Sequence, residues 1–260
     1  MSGMQCSFVP HPPIILEEIG GEHMREAANT CDAMKRLAGE MAQASPGTVV
    51  ISSPHAQGGI GSVGVYTEPT LAGSFAEFGY PQLKYAFKND LDLAAEVLLQ
   101  GGFFEPVHSP KLDHGELVFL DYLQKAGCTP RLVVLSAVWG SPKSFYDAGK
   151  ALGAVLRKHA GSVQYVASGD LSHSTRNTPG RRATPEGPKF DRIVAAAVEG
   201  ADPKPLLALD EGFIRNAQQC GLCSFLVGFG VMDGENAKGE LYSYDDPFGV
   251  GYLVGRIAGG

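Results

Sequence analysis

The chain has 260 residues, of which 44% are hydrophobic and 19% are charged, and its formal net charge is −7. This composition is that of an ordinary globular protein with enough apolar side chains for one large core, so we predict a single domain over residues 1–260. The acidic balance argues against nucleic acid and anionic membrane surfaces as partners, because both select basic proteins.

The predicted elements alternate along the chain between short apolar runs and longer stretches of helical period. This alternation predicts an α/β fold with a central, mostly parallel sheet flanked by helices. The predicted strands cover residues 5–9, 47–52, 131–138, 163–168, 240–244 and 250–257. The predicted helices cover residues 22–43, 91–100, 115–126, 142–159, 188–199 and 211–232, the last with a break near Gly221. Residues 56–82 and 172–188 are predicted to be long loops, which are candidates for lids or binding loops.

No apolar run approaches the ~18 residues of a membrane span. The N-terminal residues also lack the basic-then-apolar pattern of a signal peptide. The five cysteines form an odd, scattered set, which indicates reduced thiols rather than a disulfide framework. We therefore expect a cytoplasmic protein without a membrane partner.

Three histidines each follow the end of a predicted strand, namely His11, His55 and His173. In an open α/β sheet the carboxyl ends of the strands line one crevice, and ligands bind there. Imidazole is a common metal ligand and also titrates near neutral pH. We therefore predict one metal ion between His11 and His55, with His173 beside it as an acid or a base.

A catalytic metal usually needs a third protein ligand in addition to two histidines. The residues themselves leave four candidates open: Cys220, Glu211, Asp245 and Asp170. Cys220 and Cys223 also form C-x-x-C, which could be a redox pair or half of a zinc site. Redox chemistry is disfavoured because the pair does not follow a strand in a thioredoxin-like unit.

Two weaker patterns also occur in the sequence. Gly59, Gly61 and Gly64 form G-x-G-x-x-G after a predicted strand, which would support a nucleotide-binding domain only if it opened a helix. The following VGVYTEPTLAG favours a flexible loop instead. A small basic cluster lies in a Pro/Gly-rich stretch and is interpreted as a solvated loop rather than an anion clamp; it consists of Arg176, Arg181 and Arg182.

Seven segments, taken together, resemble the B-subunit-like (LigB-like) class III extradiol ring-cleavage dioxygenases. The segments are VPHPPIILEEIG, VVISSPHA, LDHGELVFL, ASGDLSH, EGPKFD, CGLCSF and DDPFGVGYLV. They occur in the family's order and span nearly the whole chain. Within the family, the sequence is most similar to the branch related to Memo proteins and the AmmeMemoRadiSam gene systems.

The resemblance implies that His11 and His55 bind iron(II). The family's third ligand is usually a glutamate on a late helix, whereas this sequence reads QQCGLCSF there and resembles the Memo-type pattern. The resemblance therefore transfers the ligand role to Cys220. A thiolate is softer than a carboxylate, so it favours zinc or copper(I) over iron(II).

The resemblance also implies roles for the proton-transfer residues. His173 in GDLSH corresponds to the family's catalytic base, with Asp170 as a partner that fixes its tautomer. His114 in LDHG corresponds to a histidine of the substrate pocket or its surroundings. The implied activity is iron(II)-dependent cleavage of a catechol-like aromatic by O₂, in a homodimer. The alternative is a non-oxygenase, Memo-like copper or zinc protein that acts in a modification pathway.

Overall fold

A computed structural model describes residues 4–260 of the chain. Within these residues the strands are β1 (Gln5–Val9), β2 (Thr48–Ser53), β3 (Val63–Tyr66), β4 (Thr70–Phe75), β5 (Tyr80–Lys88), β6 (Phe104–Val107), β7 (Lys111–Leu112), β8 (Arg131–Ser136), β9 (Val163–Ser168), β10 (Ala237–Asp245) and β11 (Tyr252–Gly259). Eight of them form one sheet in the order β10-β11-β1-β9-β2-β8-β3-β6, and β5-β4-β7 form a small second sheet.

The helices connect these strands and cover the sheet. They are α1 (Glu17–Gly20), α2 (Ala28–Ala44), α3 (Leu91–Leu98), α4 (His114–Lys125), α5 (Pro142–Leu156), α6 (Glu186–Gly200), α7 (Lys204–Leu207), α8 (Glu211–Ala217) and α9 (Leu222–Val231). None of the helices described is both long and apolar enough to cross a membrane.

The centre of the large sheet is parallel. β1 pairs with β9, β9 with β2, and β2 with β8, all in the same direction, whereas β10, β11 and β3 add antiparallel pairings toward the edges. The predicted α/β fold with a mostly parallel sheet is therefore confirmed. Because the sheet order places β9 between β1 and β2, the carboxyl ends of these three strands are neighbours.

The central strands are buried on both faces, as parallel strands usually are. On one face Phe8 and Tyr165 belong to a core that includes α5, α6 and α9. On the other face Val9 and Val166 belong to a core that includes α2 and α4. Helices α5 and α9 pack so closely that a Cβ on Gly149 would lie 2.2 Å from the carbonyl oxygen of Val227. These two layers hold the strand ends in a fixed arrangement.

Two of the predicted elements were wrong in part. Residues 56–82 were predicted as one loop, but they contain β3, β4 and the start of β5. Strand β5 is mostly exposed, and β4 contains the exposed residues Thr70 and Ala72, so neither has the continuous apolar run of a central strand. The first long helix, predicted at 22–43, begins as a 3₁₀ helix over Gly21–Ala27 before α2. The predicted break near Gly221 separates α8 from α9.

Candidate metal centre

The predicted histidines lie just beyond the ends of three neighbouring strands. His11 follows β1, His55 follows β2, and His173 follows β9. The loop after β9 is tied to β1 by the Gly169 N–H, which donates to the carbonyl oxygen of Val9 at 2.9 Å. Strand order therefore brings segments that are distant in sequence to one crevice.

Three imidazole rings meet in this crevice. The ring centroids of His11 and His55 are 4.8 Å apart, and that of His114 lies 4.3 Å from His55 and 5.4 Å from His11. Cys220, directly before α9, places its Sγ 3.6 Å from Nε2 of His11. One potential ligand atom each from His11, His55 and Cys220 lies within 4.8 Å of the other two.

This donor set suits a metal ion. Nitrogen and thiolate ligands at ~2.0–2.3 Å from one ion lie roughly 3 to 4.6 Å apart, so small side-chain movements would bring all three atoms onto it. Burial lowers the pKa of His11 well below its usual value, and the neighbouring histidines lower it further. Burial also lowers the pKa of His55. Both rings are therefore neutral near pH 7 and keep a nitrogen lone pair for a metal.

Without a bound cation, the Cys220 thiol resists ionisation. Burial raises its pKa, and the adjacent carboxyl group of Asp170 raises it further. A bound divalent ion reverses this effect, because coordination stabilises the thiolate. The thiol accepts a hydrogen bond from the Asp170 N–H at 3.3 Å. This contact orients Sγ toward the histidines.

Two of the other candidates for the third ligand are engaged elsewhere. The Asp245 carboxylate accepts hydrogen bonds from the N–H and the hydroxyl of Thr30. Glu211 lines a separate cavity of about 480 Å³ together with Trp139 and Cys223. Cys220 is the candidate whose ligand atom groups with those of His11 and His55.

Asp170 lies against His11 rather than His173. Its Oδ1 accepts the His11 N–H at 2.9 Å, and its Oδ2 lies 3.9 Å from Nε2 of the same residue. Burial raises the pKa of Asp170 to about 7. The hydrogen bond that would let Asp170 fix the tautomer of His173 is absent from residues 4–260. The carboxyl group instead positions the backbone of His11, since both oxygens face that residue.

His173 keeps a ring nitrogen free. Its Nε2 is buried and has no hydrogen-bond partner within the described part of the chain. Its backbone N–H donates to the carbonyl oxygen of Gln218 at 2.9 Å, which fixes the residue beside the turn that carries Cys220. Burial lowers the pKa of His173 to about 4, and the charges of Arg181 and His55 contribute. The neutral ring can accept a proton from a bound molecule.

His114 is the first residue of α4, and Asp113 before it caps the helix. The Asp113 side chain accepts from the Gly115 N–H, while Glu116 accepts from the Asp113 N–H, which is a capping box. Asp113 also contacts Nδ1 of His114. Burial would raise the pKa of Asp113, but the hydrogen bond from His114, the charges of His114 and His55 and the Gly115 N–H together outweigh it, and the pKa is lowered. His55, Asp113 and His114 form a second group with the spacing of metal ligands.

Sequence reasoning missed several residues of the site. Asp113 could have been found from the D-x-x-E capping signal in DHGE. Phe78 lies in the segment predicted as a loop, and its ring packs edge-on against His114 with centroids 5.3 Å apart. It remains 41% exposed, so it forms an aromatic wall at the mouth of the crevice. No local pattern marks Phe78 for that position.

The glycine-rich segment and the basic cluster have structural roles. The Gly59 N–H donates to the Glu105 carboxylate at 2.9 Å, and the glycine-rich segment leads into β3 rather than a helix. It therefore lacks the strand–turn–helix of a dinucleotide site. Arg176 of the basic cluster pairs with the Asp246 carboxylate.

The chain is similar to known proteins. Residues 5–255 match the family described as the catalytic LigB subunit of aromatic ring-opening dioxygenase. Protein CA_C1420 of Clostridium acetobutylicum is 27% identical over 263 residues, a match that covers 96% of this chain and 56% of that protein. The chain thus spans about half the length of this curated relative. The crystal structure of the uncharacterized protein JW3007 from Escherichia coli K12 has a TM-score of 0.65 at 17% identity, covering 97% of this chain and 99% of that one. That likeness concerns the fold.

Proposed function

The chain belongs to the family of catalytic LigB subunits of aromatic ring-opening dioxygenases, and from this premise we propose that it is a metal-dependent, extradiol-type dioxygenase. Its substrate is a catechol-like aromatic, its co-substrate is O₂, and its metal is iron(II). We assign His11, His55 and Cys220 as the ligands. His173 is the acid–base residue, and His114 lines the substrate pocket. Both atoms of O₂ enter the ring-opened product, so the reaction needs no external reductant.

One observation carries the proposal. Side chains from the ends of β1 and β2 and from the turn before α9 bring two imidazoles and a thiol within 4.8 Å of one another. A bound iron(II) ion would supply Lewis acidity toward the diol and one-electron reactivity toward O₂. Two histidines and one further ligand leave coordination positions open for both substrates.

The surrounding side chains suit a small aromatic diol. His173 is the proposed acceptor of a proton from a substrate hydroxyl, because its ring is neutral near pH 7 and its Nε2 has no other partner within the described residues. The Asp113 carboxylate contacts Nδ1 of His114 and thereby leaves the other ring nitrogen available to a ligand. Phe78 covers one side of the crevice and provides a face for the aromatic ring.

Anaerobic reconstitution with iron(II) tests the proposal. The protein is loaded with Fe²⁺, mixed with a panel of catechols in oxygenated buffer, and followed by an oxygen electrode and by the visible absorbance of ring-opened products. For at least one catechol, we expect one mole of oxygen to be consumed per mole of ring-opened product. No uptake with any catechol, at full iron occupancy, would contradict the proposal.

A pair of histidine variants serves as the control. His55→Ala removes a ligand and should abolish both iron binding and turnover. His108→Ala removes an exposed histidine outside the crevice and should leave both unchanged. Equal turnover in the two variants would exclude the assigned ligands.

A second function is favoured by Cys220. A thiolate in the donor set selects copper(I) or zinc over iron(II), so we also propose as the alternative a non-oxygenase metal-binding protein that acts in a modification pathway. The metal content of protein purified without added metal separates the two proposals. Stoichiometric copper or zinc that iron(II) cannot displace favours the alternative, whereas stoichiometric iron favours the dioxygenase.

A further inference from the structure

The hydroxyl of Ser168 lies between the His11 ring and the backbone of α4. Ser168 is the last residue of β9, and its side chain is completely buried. Its Oγ lies 3.0 Å from Nδ1 of His11 and 2.5 Å from the carbonyl oxygen of Gly115. Both contacts have hydrogen-bonding distances, so the hydrogen of this one hydroxyl must be assigned.

A hydrogen count decides the assignment. A carbonyl oxygen only accepts, so the short contact to Gly115 requires the Ser168 hydroxyl to be the donor. A serine hydroxyl carries a single hydrogen and can then only accept from the His11 ring. Nδ1 of His11 must therefore carry a proton. The opposite tautomer would leave two oxygen acceptors facing each other at 2.5 Å without a hydrogen between them.

The remaining contacts of His11 are compatible with this assignment. The backbone N–H of His11 donates to the Asp170 carboxyl group at 2.9 Å, so the residue is fixed at the backbone as well as at the ring. A neutral imidazole carries one ring hydrogen, so Nε2 then has a free lone pair. That nitrogen is the one that lies 3.6 Å from Sγ of Cys220.

A glycine is needed to bring the α4 carbonyl to Ser168. A Cβ on Gly115 would lie 2.2 Å from Oγ of Ser53 and 3.2 Å from Cβ of His55. A side chain at this position would force Ser53 and His55 to move, or α4 to withdraw from the strand ends. The Gly115 carbonyl oxygen, the Ser168 hydroxyl and the His11 ring thus form one connected chain from α4 to the centre of the site.

We propose that Ser168 is a positioning residue that holds His11 in the Nδ1–H tautomer and thereby presents Nε2 as the metal-binding nitrogen. The tautomer itself is a property of the metal-free protein. Only its consequence for metal binding rests on the proposed function. Outer-shell partners of this kind typically contribute about 10- to 100-fold to metal affinity.

The tautomer is measured first, on the metal-free wild-type protein. Histidine labelled with ¹⁵N is incorporated, and two-bond ¹H–¹⁵N correlation spectra report which ring nitrogen carries the proton, with His11→Gln used to assign the signals. We expect a pyrrole-type Nδ1 and a pyridine-type Nε2 for His11. A protonated Nε2 with a bare Nδ1 would overturn the proposal.

Metal affinity is measured next, with Zn²⁺ competing against a chelating indicator. Ser168→Ala should bind Zn²⁺ about 10- to 100-fold more weakly and give a mixture of His11 tautomers. The matched control is Ser52→Ala, which removes an equally buried hydroxyl of the same sheet that bonds to Ser224 and Tyr165 rather than to a ligand. Unchanged affinity in Ser168→Ala, or an equal loss in both variants, would overturn the metal-presenting role.

These measurements separate the inference from the proposed function. If the wild-type protein turned over no catechol, the spectra of the metal-free protein would still give the tautomer of His11. If turnover were found together with the Nε2–H tautomer, the function would stand and the role of Ser168 would be rejected.

Discussion

Sγ of Cys220 lies 3.6 Å from Nε2 of His11, although 209 positions separate the two residues in sequence. Oδ2 of Asp170 also lies near this nitrogen, at 3.9 Å. A thiol at this distance can donate its proton to a ring nitrogen that has a free lone pair. A divalent ion would displace that proton and take both atoms as ligands.

We predict that Cys220→Ser weakens zinc and copper(I) binding more than iron(II) binding. The hydroxyl is a harder and weaker donor than a thiolate, so the soft ions lose most. We expect a loss of about tenfold or more for Zn²⁺, equivalent to about 1.4 kcal/mol. Chelator competition measures each affinity. Cys223→Ser is the matched control, because that thiol lines the cavity beside Trp139 and should leave all affinities unchanged.

We predict that His173→Ala lowers kcat without removing the metal. The ring of His173 is the proposed proton acceptor and is not among the assigned ligands, so only proton transfer is lost. General acid–base residues contribute about 10²- to 10⁴-fold, and we expect a decrease in that range. Turnover is compared at equal iron occupancy, which is determined by elemental analysis. A variant with full iron and wild-type kcat would show that another group takes the proton.

We predict opposite effects for alanine at two helical glycines. Gly115→Ala places a Cβ 2.2 Å from Oγ of Ser53 and should lower the free energy of unfolding by about 1–3 kcal/mol, together with metal affinity. Gly39→Ala in α2 meets no atom within 4 Å and should raise stability by about 0.5–1 kcal/mol, as alanine does in open helical positions. Urea denaturation measures both. Equal effects would mean that α4 can move away from the strand ends.

We predict that Asp191 makes the protein less stable at higher pH. Burial raises the pKa of this completely buried carboxyl group to about 7, despite hydrogen bonds from the Ser172 N–H and the Tyr244 hydroxyl. In the unfolded chain the pKa is about 3.9, so stability from the protonated form is present below pH ~4 and is lost as the pH rises toward 7.

The variant Asp191→Asn mimics the protonated carboxyl group and does not titrate. Its stability relative to the wild type should therefore increase by on the order of 2 kcal/mol between pH 5 and pH 8. Urea denaturation at the two pH values measures the difference. Parallel stability curves for the two proteins would refute the pKa assignment.

The sequence alone was informative about the sheet and about the metal-site histidines. The central strands are short, continuously apolar segments. This pattern lies within each segment, so it can be read from the sequence without knowing the tertiary structure. His11, His55 and His173 follow three of them, so the general rule for parallel sheets places them at one crevice. The order β1-β9-β2, which makes the ends of these strands neighbours, came only from the tertiary structure.

The segment 56–82 was not predictable in the same way. The pairing of β4 with β5 and β7 involves exposed, weakly patterned residues, and their stability comes from partners distant in sequence. The position of Phe78 on His114 depends on that pairing. No periodicity within a short window contains this information.

The sequence by itself determined the α/β class, the strand ends that carry histidines, and a set of four candidates for the third ligand. Only the tertiary structure brought Cys220, and neither Glu211 nor Asp245, into one group with His11 and His55, and only it placed the Ser168 hydroxyl between His11 and Gly115. The physical reason is that periodicity reports which face of an element is buried. Ligand geometry and hydrogen-bond direction depend instead on how separate elements approach each other within a few tenths of an ångström.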